Sequence, residues 1–239
     1  MAQYLNQTQF IMNEIENNIL NIKKNIIKAE LNSSRKENSV ILMAVSKTHD
    51  IGKIKQAYNA GQKHFGENYI QEAVEKISKL ENLNIVWHYL GKIQSNKSKL
   101  IADNFDWVHS VDKVSTLIKI DKYRKILKKN LNVCIQVNID NEDTKSGIDM
   151  NSVEEFLKSA QDLHNINIRG LMAIPKYQEN FTDQLKTFKS LQDLFKSLVK
   201  KGYKLDTLSI GMSSDYHAAI EAGSTIIRIG TAIFGERIK

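Results

Sequence analysis

Hydrophobic positions along the chain follow two different periods. Between about residues 8 and 30, isoleucines recur every three or four positions, which predicts a helix with one apolar face. After the polar segment 32–38, short apolar runs alternate with helical patterns. The predicted strands cover 40–46, 63–66, 85–90, 107–110, 133–139, 168–174, 207–210 and 226–229. The predicted helices between them cover 51–60, 68–80, 95–103, 113–129, 151–163, 180–201 and 214–222.

This alternation indicates a parallel sheet in the α/β class, because parallel neighbours need a crossover connection. Eight strands in 239 residues favour a single closed (β/α)₈ (TIM) barrel from about residue 40 to 237, and an open doubly wound sheet is the alternative. Gly61, Gly202 and Gly223 each fall between a helix and a strand, where a left-handed turn favours glycine. No Gly/Pro/Ser-rich linker interrupts the pattern, so residues 1–239 are predicted to form one domain.

Composition adds little to this picture, since 41% hydrophobic and 26% charged residues are ordinary for a globular protein. The net charge of +7 raises the possibility of nucleic-acid binding, but no RNA-binding aromatic pattern or zinc-finger spacing accompanies it. A solvated basic surface that favours an anionic small ligand is preferred. The single cysteine, Cys134, lies in a predicted strand and indicates a core residue and a reducing, cytoplasmic setting. No secretory signal and no membrane span are predicted.

Lys47 is the most informative polar residue, because it ends the first predicted strand. Active sites of such barrels lie at the carboxyl ends of the strands. Desolvation and nearby cations there favour an uncharged amine that can attack an aldehyde. The alternative is a lysine that extends from the rim into solvent, and spacing alone favours that alternative.

A possible phosphate site follows the seventh and eighth predicted strands, where such barrels often bind phosphate. The segments SIGMSSD at 209–215 and RIGTAIFG at 228–235 offer small residues, hydroxyls and helix N-termini. Alternatively, Ser213 or Ser214 caps the next helix, and the two roles are compatible. His88 either faces the mouth or is a hydrogen-bonded core residue, which is slightly favoured. The six histidines are scattered without a Cys/His cluster, so no metal site is predicted.

Together these segments resemble the pyridoxal phosphate (PLP) homeostasis protein family, also called the PLP-binding protein or YggS/PROSC family. The matching segments are AVSKT at 44–48, FGENY at 65–69, WHYLGKIQSNK at 87–97, KSG at 145–147, RGLMAIP at 169–175, GMSSD at 211–215 and RIGTAIFG at 228–235. The resemblance implies a barrel like the N-terminal domain of alanine racemases, preceded by an extra helix, that binds this vitamin B6 cofactor.

The resemblance also implies a role for individual residues. Lys47 would form a Schiff base with PLP, Asn68 would lie near the cofactor ring, and Arg228 would face the pyridine nitrogen. The other implied cofactor-binding residues are His88 and Met172, which would line the pocket, and Ser213, Gly230 and Thr231, which would hold the phosphate. The family implies no catalytic residue and no metal ligand.

The implied function is PLP binding in cofactor homeostasis without catalysis. A cation at the pyridine nitrogen disfavours its protonation and weakens the ring as an electron sink. Racemases carry a further β-rich domain that supplies a tyrosine, and none is expected in a chain that ends at residue 239. The main alternative is a low-activity PLP-dependent racemase, followed by a Schiff-base aldolase and a nucleic-acid module. The expected partners are PLP and PLP-dependent apoenzymes, and a monomer is expected.

Overall fold

A computed structural model of the protein describes residues 13–140, 142 and 146–236. All eight predicted strands are present and pair in parallel as one closed barrel, in sequence order. Pairing of the first strand with the last, with Met43 opposite Arg228, closes the barrel and excludes the open-sheet alternative. The strands are β1 (Ile41–Val45), β2 (His64–Glu67), β3 (Val86–Tyr89), β4 (Trp107–Val111), β5 (Leu131–Gln136), β6 (Ile166–Met172), β7 (Thr207–Ser209) and β8 (Ile226–Ile229).

Helices surround the barrel, one after each strand in the usual (β/α)₈ arrangement. They are α1 (Glu14–Asn32), α2 (Ile51–Asn59), α3 (Ile70–Lys79), α4 (Ser98–Asn104), α5 (Val114–Arg124), α6 (Val153–Ser159), α7 (Phe181–Lys200), α8 (Tyr216–Glu221) and α9 (Thr231–Phe234). The extra helix α1 precedes the barrel and packs against α2, α8 and α9.

Strand residues alternate between two buried layers, as the period of two requires. One side of each strand packs beneath the helices in the main hydrophobic core. The other side fills the barrel with a separate cluster of Met43, Trp107, Cys134, Met172 and Ile226. Cys134 is fully buried there, as the sequence predicts.

Several element boundaries differ from the prediction. The first helix begins at Glu14 because the side chain of Asn13 caps it by accepting from the Ile15 N–H, and the predicted part over 8–12 lies outside the described residues. Helix α5 ends at Arg124, not at 129, and is followed by a 3₁₀ turn over Lys125–Leu127 and by Lys128, whose positive φ of 50° ends the helical course. The four-residue α9 after β8 was not predicted.

The glycine turns between helices and strands are confirmed. Gly61, Gly202 and Gly223 all have positive φ angles, of 82°, 96° and 88°. Side chains rarely adopt this region, so these helices end where the sequence places glycine. The short connections that result keep the helices packed against consecutive strands.

Candidate functional site

A cavity of about 190 Å³ opens at the carboxyl ends of the strands. This is more than ten times the roughly 15 Å³ that one water molecule needs. Residues that follow six of the eight strands form its wall. They are Val45, Lys47, His49, Asn68, Leu90, Met172, Ile174, Met212, Ser213, Arg228, Gly230 and Thr231. Seven of the eight predicted cofactor-binding residues therefore lie around one cavity, and His88 does not.

Lys47 lies half-buried just beyond β1, before a strained turn. The next residue, Thr48, has a φ of 66°, an uncommon conformation for a β-branched residue that costs about 1–3 kcal/mol. Its N–H donates to Glu72 Oε1 at 2.6 Å, and Lys76 Nζ donates to the same oxygen at 2.5 Å. Contacts from α3 thus hold the turn that aims Lys47 at the cavity.

Lys76 is also the centre of a buried polar network beneath the turn. Lys76 Nζ donates to Glu67 Oε1 and to the Ser46 carbonyl oxygen, both at 2.8 Å, and the Ser46 hydroxyl donates to Glu67 Oε1 at 2.6 Å. Burial raises the pKa of Glu67, although the Lys76 ammonium opposes the rise. Sequence reasoning missed this network, whose only signal was Glu72 and Lys76 four residues apart on a helix.

Asn68 follows β2 and lines the cavity. Its Oδ1 is buried and has no hydrogen-bond partner among the described residues. A buried acceptor without a partner costs about 1–3 kcal/mol. Its backbone lies close to Gly91, just after β3. A Cβ on Gly91 would lie only 2.0 Å from the Asn68 carbonyl oxygen.

The predicted phosphate end is formed after β7 and β8. Ser213 and Thr231 are exposed at the rim, and Thr231 begins the short helix α9. The prediction that Ser213 or Ser214 caps α8 is wrong, because the cap position is Asp215, whose Oδ1 accepts from the Met212 N–H at 2.6 Å. Ser213 therefore lies in the loop before the cap.

Arg228 lies under this end of the cavity and is only 5% exposed. Its Nη1 donates to the Ser209 carbonyl oxygen at 2.5 Å and to Ser209 Oγ at 2.9 Å, and its Nη2 donates to the Ala173 carbonyl oxygen at 2.9 Å. Burial lowers the pKa of Arg228 to about 10, against the opposing charge of Asp215, so the guanidinium is cationic at neutral pH. Met172, at the end of β6, is buried and lines the same cavity.

His88 is a correction to the family-based prediction, since it does not line the cavity. It is 0% exposed, and its two ring nitrogens lie 2.9 Å from His64 Nδ1 and from His109 Nε2. Burial lowers its pKa well below the usual range. Residues two positions apart on a strand point to the same side, so His88 and Leu90 both face the barrel interior, and Leu90 lies one layer nearer the mouth, where it reaches the cavity.

Sequence reasoning also missed His49. It is buried, follows Lys47 by two positions and packs against Phe234 in a tilted arrangement with ring centroids 5.0 Å apart. The alternation of Val45, Lys47 and His49 was the available signal for a shared direction.

Metal-binding clusters and membrane-spanning helices are both absent from the described residues. No group of three or more His, Cys, Asp or Glu side chains there is placed to hold a metal ion. Within the same part of the chain, no helix is long and apolar enough to cross a membrane.

The sequence matches the family described as alanine racemase, N-terminal domain, over residues 15–238. The pyridoxal phosphate homeostasis protein of Pasteurella multocida (strain Pm70) is 45% identical over 227 residues, which cover 93% of this chain and 97% of that protein. The protein of the same name from Escherichia coli (strain K12) is 41% identical over 229 residues, which cover 95% and 98%.

Solved structures give a matching result. PipY of Synechococcus elongatus PCC7942, solved with PLP bound, superposes with a TM-score of 0.82 at 35% identity and covers 92% of this chain and 100% of PipY. Alanine racemase of Clostridium difficile 630 superposes with a TM-score of 0.71 at 16% identity, over 95% of this chain and 57% of the racemase. The second likeness concerns the fold alone.

Proposed function

The chain belongs to the pyridoxal phosphate homeostasis protein family, and from that premise we propose that it binds PLP in this cavity and acts in PLP homeostasis. The main support is that an amine, Lys47, and two hydroxyls, on Ser213 and Thr231, lie around one cavity although they are far apart in sequence. The PLP-bound structure of PipY supports the choice of cofactor.

We assign the covalent attachment to Lys47. When bound, PLP supplies an aldehyde that condenses with a primary amine to form a Schiff base and release water. Lys47 is the lysine among the described residues that line the cavity, and the Glu72–Lys76 pair fixes the turn beside it. Its half-buried position at the strand end places the amine at the cavity wall, within reach of a bound aldehyde.

The remaining residues divide by position between ring and phosphate. Asn68 and Met172, which line the cavity, would flank the ring. Ser213 and Thr231 donate hydroxyl hydrogens to the phosphate. Gly230 allows β8 to approach the end of β1 closely, since a Cβ at this position would lie 3.2 Å from the Val45 carbonyl oxygen. The net charge of +7 favours the anionic ligand.

Arg228 decides which chemistry the site supports. The guanidinium is cationic at neutral pH, and we place it at the pyridine nitrogen, where like-charge repulsion disfavours a proton. An unprotonated ring accepts carbanion charge less well, so the site retains the cofactor and activates a bound amino acid poorly.

We further propose that the protein is a carrier with no amino-acid turnover at an enzyme's rate. Racemisation requires acid/base groups on both faces of the substrate carbon, and lacking one costs about 10²–10⁴ in rate. Among the described cavity residues, the amine and the imidazole belong to Lys47 and His49, which both follow β1. A lining tyrosine is absent from the same set.

A turnover assay on PLP-loaded protein tests this proposal. Uptake is first checked by the visible absorbance of bound PLP, and the protein is then incubated with L- and D-alanine in heavy water. A carrier gives chirality change and α-proton exchange far below about 1 s⁻¹. Exchange at or above that rate, lost in Lys47→Ala, would establish the racemase instead. Failure of the wild type to take up PLP would contradict the binding itself.

A further inference from the structure

A continuous series of hydrogen bonds crosses the barrel interior from Arg228 to the opposite mouth. Ser209 Oγ lies 2.9 Å from Arg228 Nη1 and 2.9 Å from His109 Nδ1. His109 Nε2 lies 2.9 Å from His88 Nδ1, and His88 Nε2 lies 2.9 Å from His64 Nδ1. His64 is the first residue of β2 and is partly exposed, so the series ends at the amino-terminal end of the strands.

Each group in this series donates its hydrogen to the next group, from Arg228 at one end to His64 at the other. A guanidinium can only donate, so Ser209 Oγ accepts from Arg228. Within the described residues, the other partner of this oxygen is His109 Nδ1, so the hydroxyl hydrogen points there. His109 Nδ1 is therefore the acceptor, and the ring carries its hydrogen on Nε2, which donates to His88. The same reasoning places the hydrogen of His88 on Nε2, donating to His64.

The direction requires the two inner rings to be neutral, because a protonated imidazole has no acceptor nitrogen. Burial lowers the pKa of His88 well below its usual range, and the neighbouring histidines lower it further. Burial, together with the charge of Arg228, lowers the pKa of His109 to about 3. Burial also lowers the pKa of His64. At neutral pH each inner ring thus has one donor and one acceptor.

We propose that Ser209, His109, His88 and His64, here called the imidazole chain, are positioning residues that hold Arg228 against the cofactor ring. The inference rests on the proposed PLP binding. Arg228 gives three of its five N–H groups to the Ala173 carbonyl and to the two oxygens of Ser209, so the Ser209 hydroxyl helps set where the others point. The imidazole chain fixes that hydroxyl by giving its hydrogen one acceptor.

The tautomers of the PLP-free wild-type protein test the direction. Nitrogen-15 NMR of the imidazoles reports which ring nitrogen carries hydrogen. We expect it on Nε2 in both His88 and His109. Hydrogen on Nδ1 of either ring would reverse the series and overturn the proposal. This measurement requires neither a variant nor bound cofactor.

A matched pair of serine variants tests the positioning role. Ser209→Ala should weaken PLP binding about tenfold and shift the visible absorbance band of the bound cofactor. Ser224→Ala is the control, since its hydroxyl is equally buried but lies 2.7 Å from the Ile210 carbonyl oxygen, outside the imidazole chain. Its dissociation constant should stay within about twofold of the wild-type value. Ser209→Thr keeps the hydroxyl and should restore both readouts.

The outcomes separate this inference from the proposed function. Wild-type affinity and an unshifted band in Ser209→Ala would overturn the positioning role and leave PLP binding intact. A wild-type protein that takes up no PLP would overturn the proposed function and the positioning role together. If Ser209→Ala does not fold, the tautomers of His88 and His109 in the wild type decide.

Discussion

At the level of single residues, two hydroxyls at the phosphate end allow a selective test. Ser213 and Thr231 line the cavity beyond β7 and β8. A hydrogen bond to a charged group contributes about 1.5–3 kcal/mol, so losing one should weaken binding about tenfold or more. We expect Ser213→Ala and Thr231→Ala to weaken PLP much more than pyridoxal, which lacks the phosphate. Dissociation constants of both ligands measure this difference.

Ser214 provides the control for this pair. It is exposed beside Ser213 but does not line the cavity, so Ser214→Ala should leave both dissociation constants unchanged. Equal losses for PLP and pyridoxal in the Ser213 and Thr231 variants would contradict the assignment of these hydroxyls to the phosphate.

His109 should make stability depend on pH. Its pKa is about 3 in the folded protein and near 6.5 when unfolded, so between these values only the unfolded state binds the proton. The free energy of unfolding is therefore highest above about pH 6.5 and falls as the pH decreases, by about 2 kcal/mol between pH 6.5 and pH 5 from this residue. Urea unfolding at the two pH values should show a smaller decrease in His109→Gln.

The exposed His164 is the matched control for this measurement. His164→Gln should keep the wild-type pH dependence. An identical dependence in His109→Gln and the wild type would mean that His109 does not remain neutral in the folded barrel.

Sequence patterns located the rim residues better than those beneath them. The rim position of Lys47 was predictable because it ends an apolar strand, although spacing alone favoured a side chain extending into solvent; the hydroxyls were predictable because they follow the last two strands. For His88 the residue pattern slightly favoured the hydrogen-bonded core position, which the structure confirms, and the family resemblance pointed to the cavity wall instead. Residue spacing gave no indication that Glu67, from β2, meets Lys76, from α3, beneath the site.

At the level of elements, α1 is predicted to support the phosphate end. It packs against α8 and α9, and Asn18 Nδ2 donates to the Ile233 carbonyl oxygen at 3.1 Å. Ile19 is 0% exposed on this helix, so Ile19→Ala should lower the free energy of unfolding by about 2–5 kcal/mol. Leu20→Ala, at a 37% exposed neighbour, should cost about 0.5 kcal/mol in the same urea titration. A loss for Ile19→Ala as small as that for Leu20→Ala would mean that the packing of α1 contributes nothing to the stability of the barrel.

The number and order of elements followed from the sequence, and their ends did not. Alternating short apolar runs and helical periods predict eight strands regardless of where each stops. The ends depend on local backbone conformations that the period does not show, such as the positive φ of Lys128 after the 3₁₀ turn that follows α5. The helix α9 has only four residues, too few to show a helical period.

At the level of the whole molecule, barrel closure creates the site. Lys47 follows β1, and Arg228, Gly230 and Thr231 lie on or after β8, at the other end of the sequence. Pairing of β1 with β8 makes them neighbours, whereas in an open sheet with the same strand order they would lie at opposite edges. One small ligand can then be attached to β1 and held by its phosphate beyond β7 and β8.

Chemical trapping tests this account most directly. PLP-loaded protein is reduced with borohydride, digested and mapped by mass spectrometry. We predict that the phosphopyridoxyl group is found on Lys47, that Lys47→Ala incorporates none, and that Lys55→Ala, an exposed lysine on α2, incorporates as much as the wild type. A phosphopyridoxyl group on any other lysine, or full incorporation in Lys47→Ala, would contradict the account.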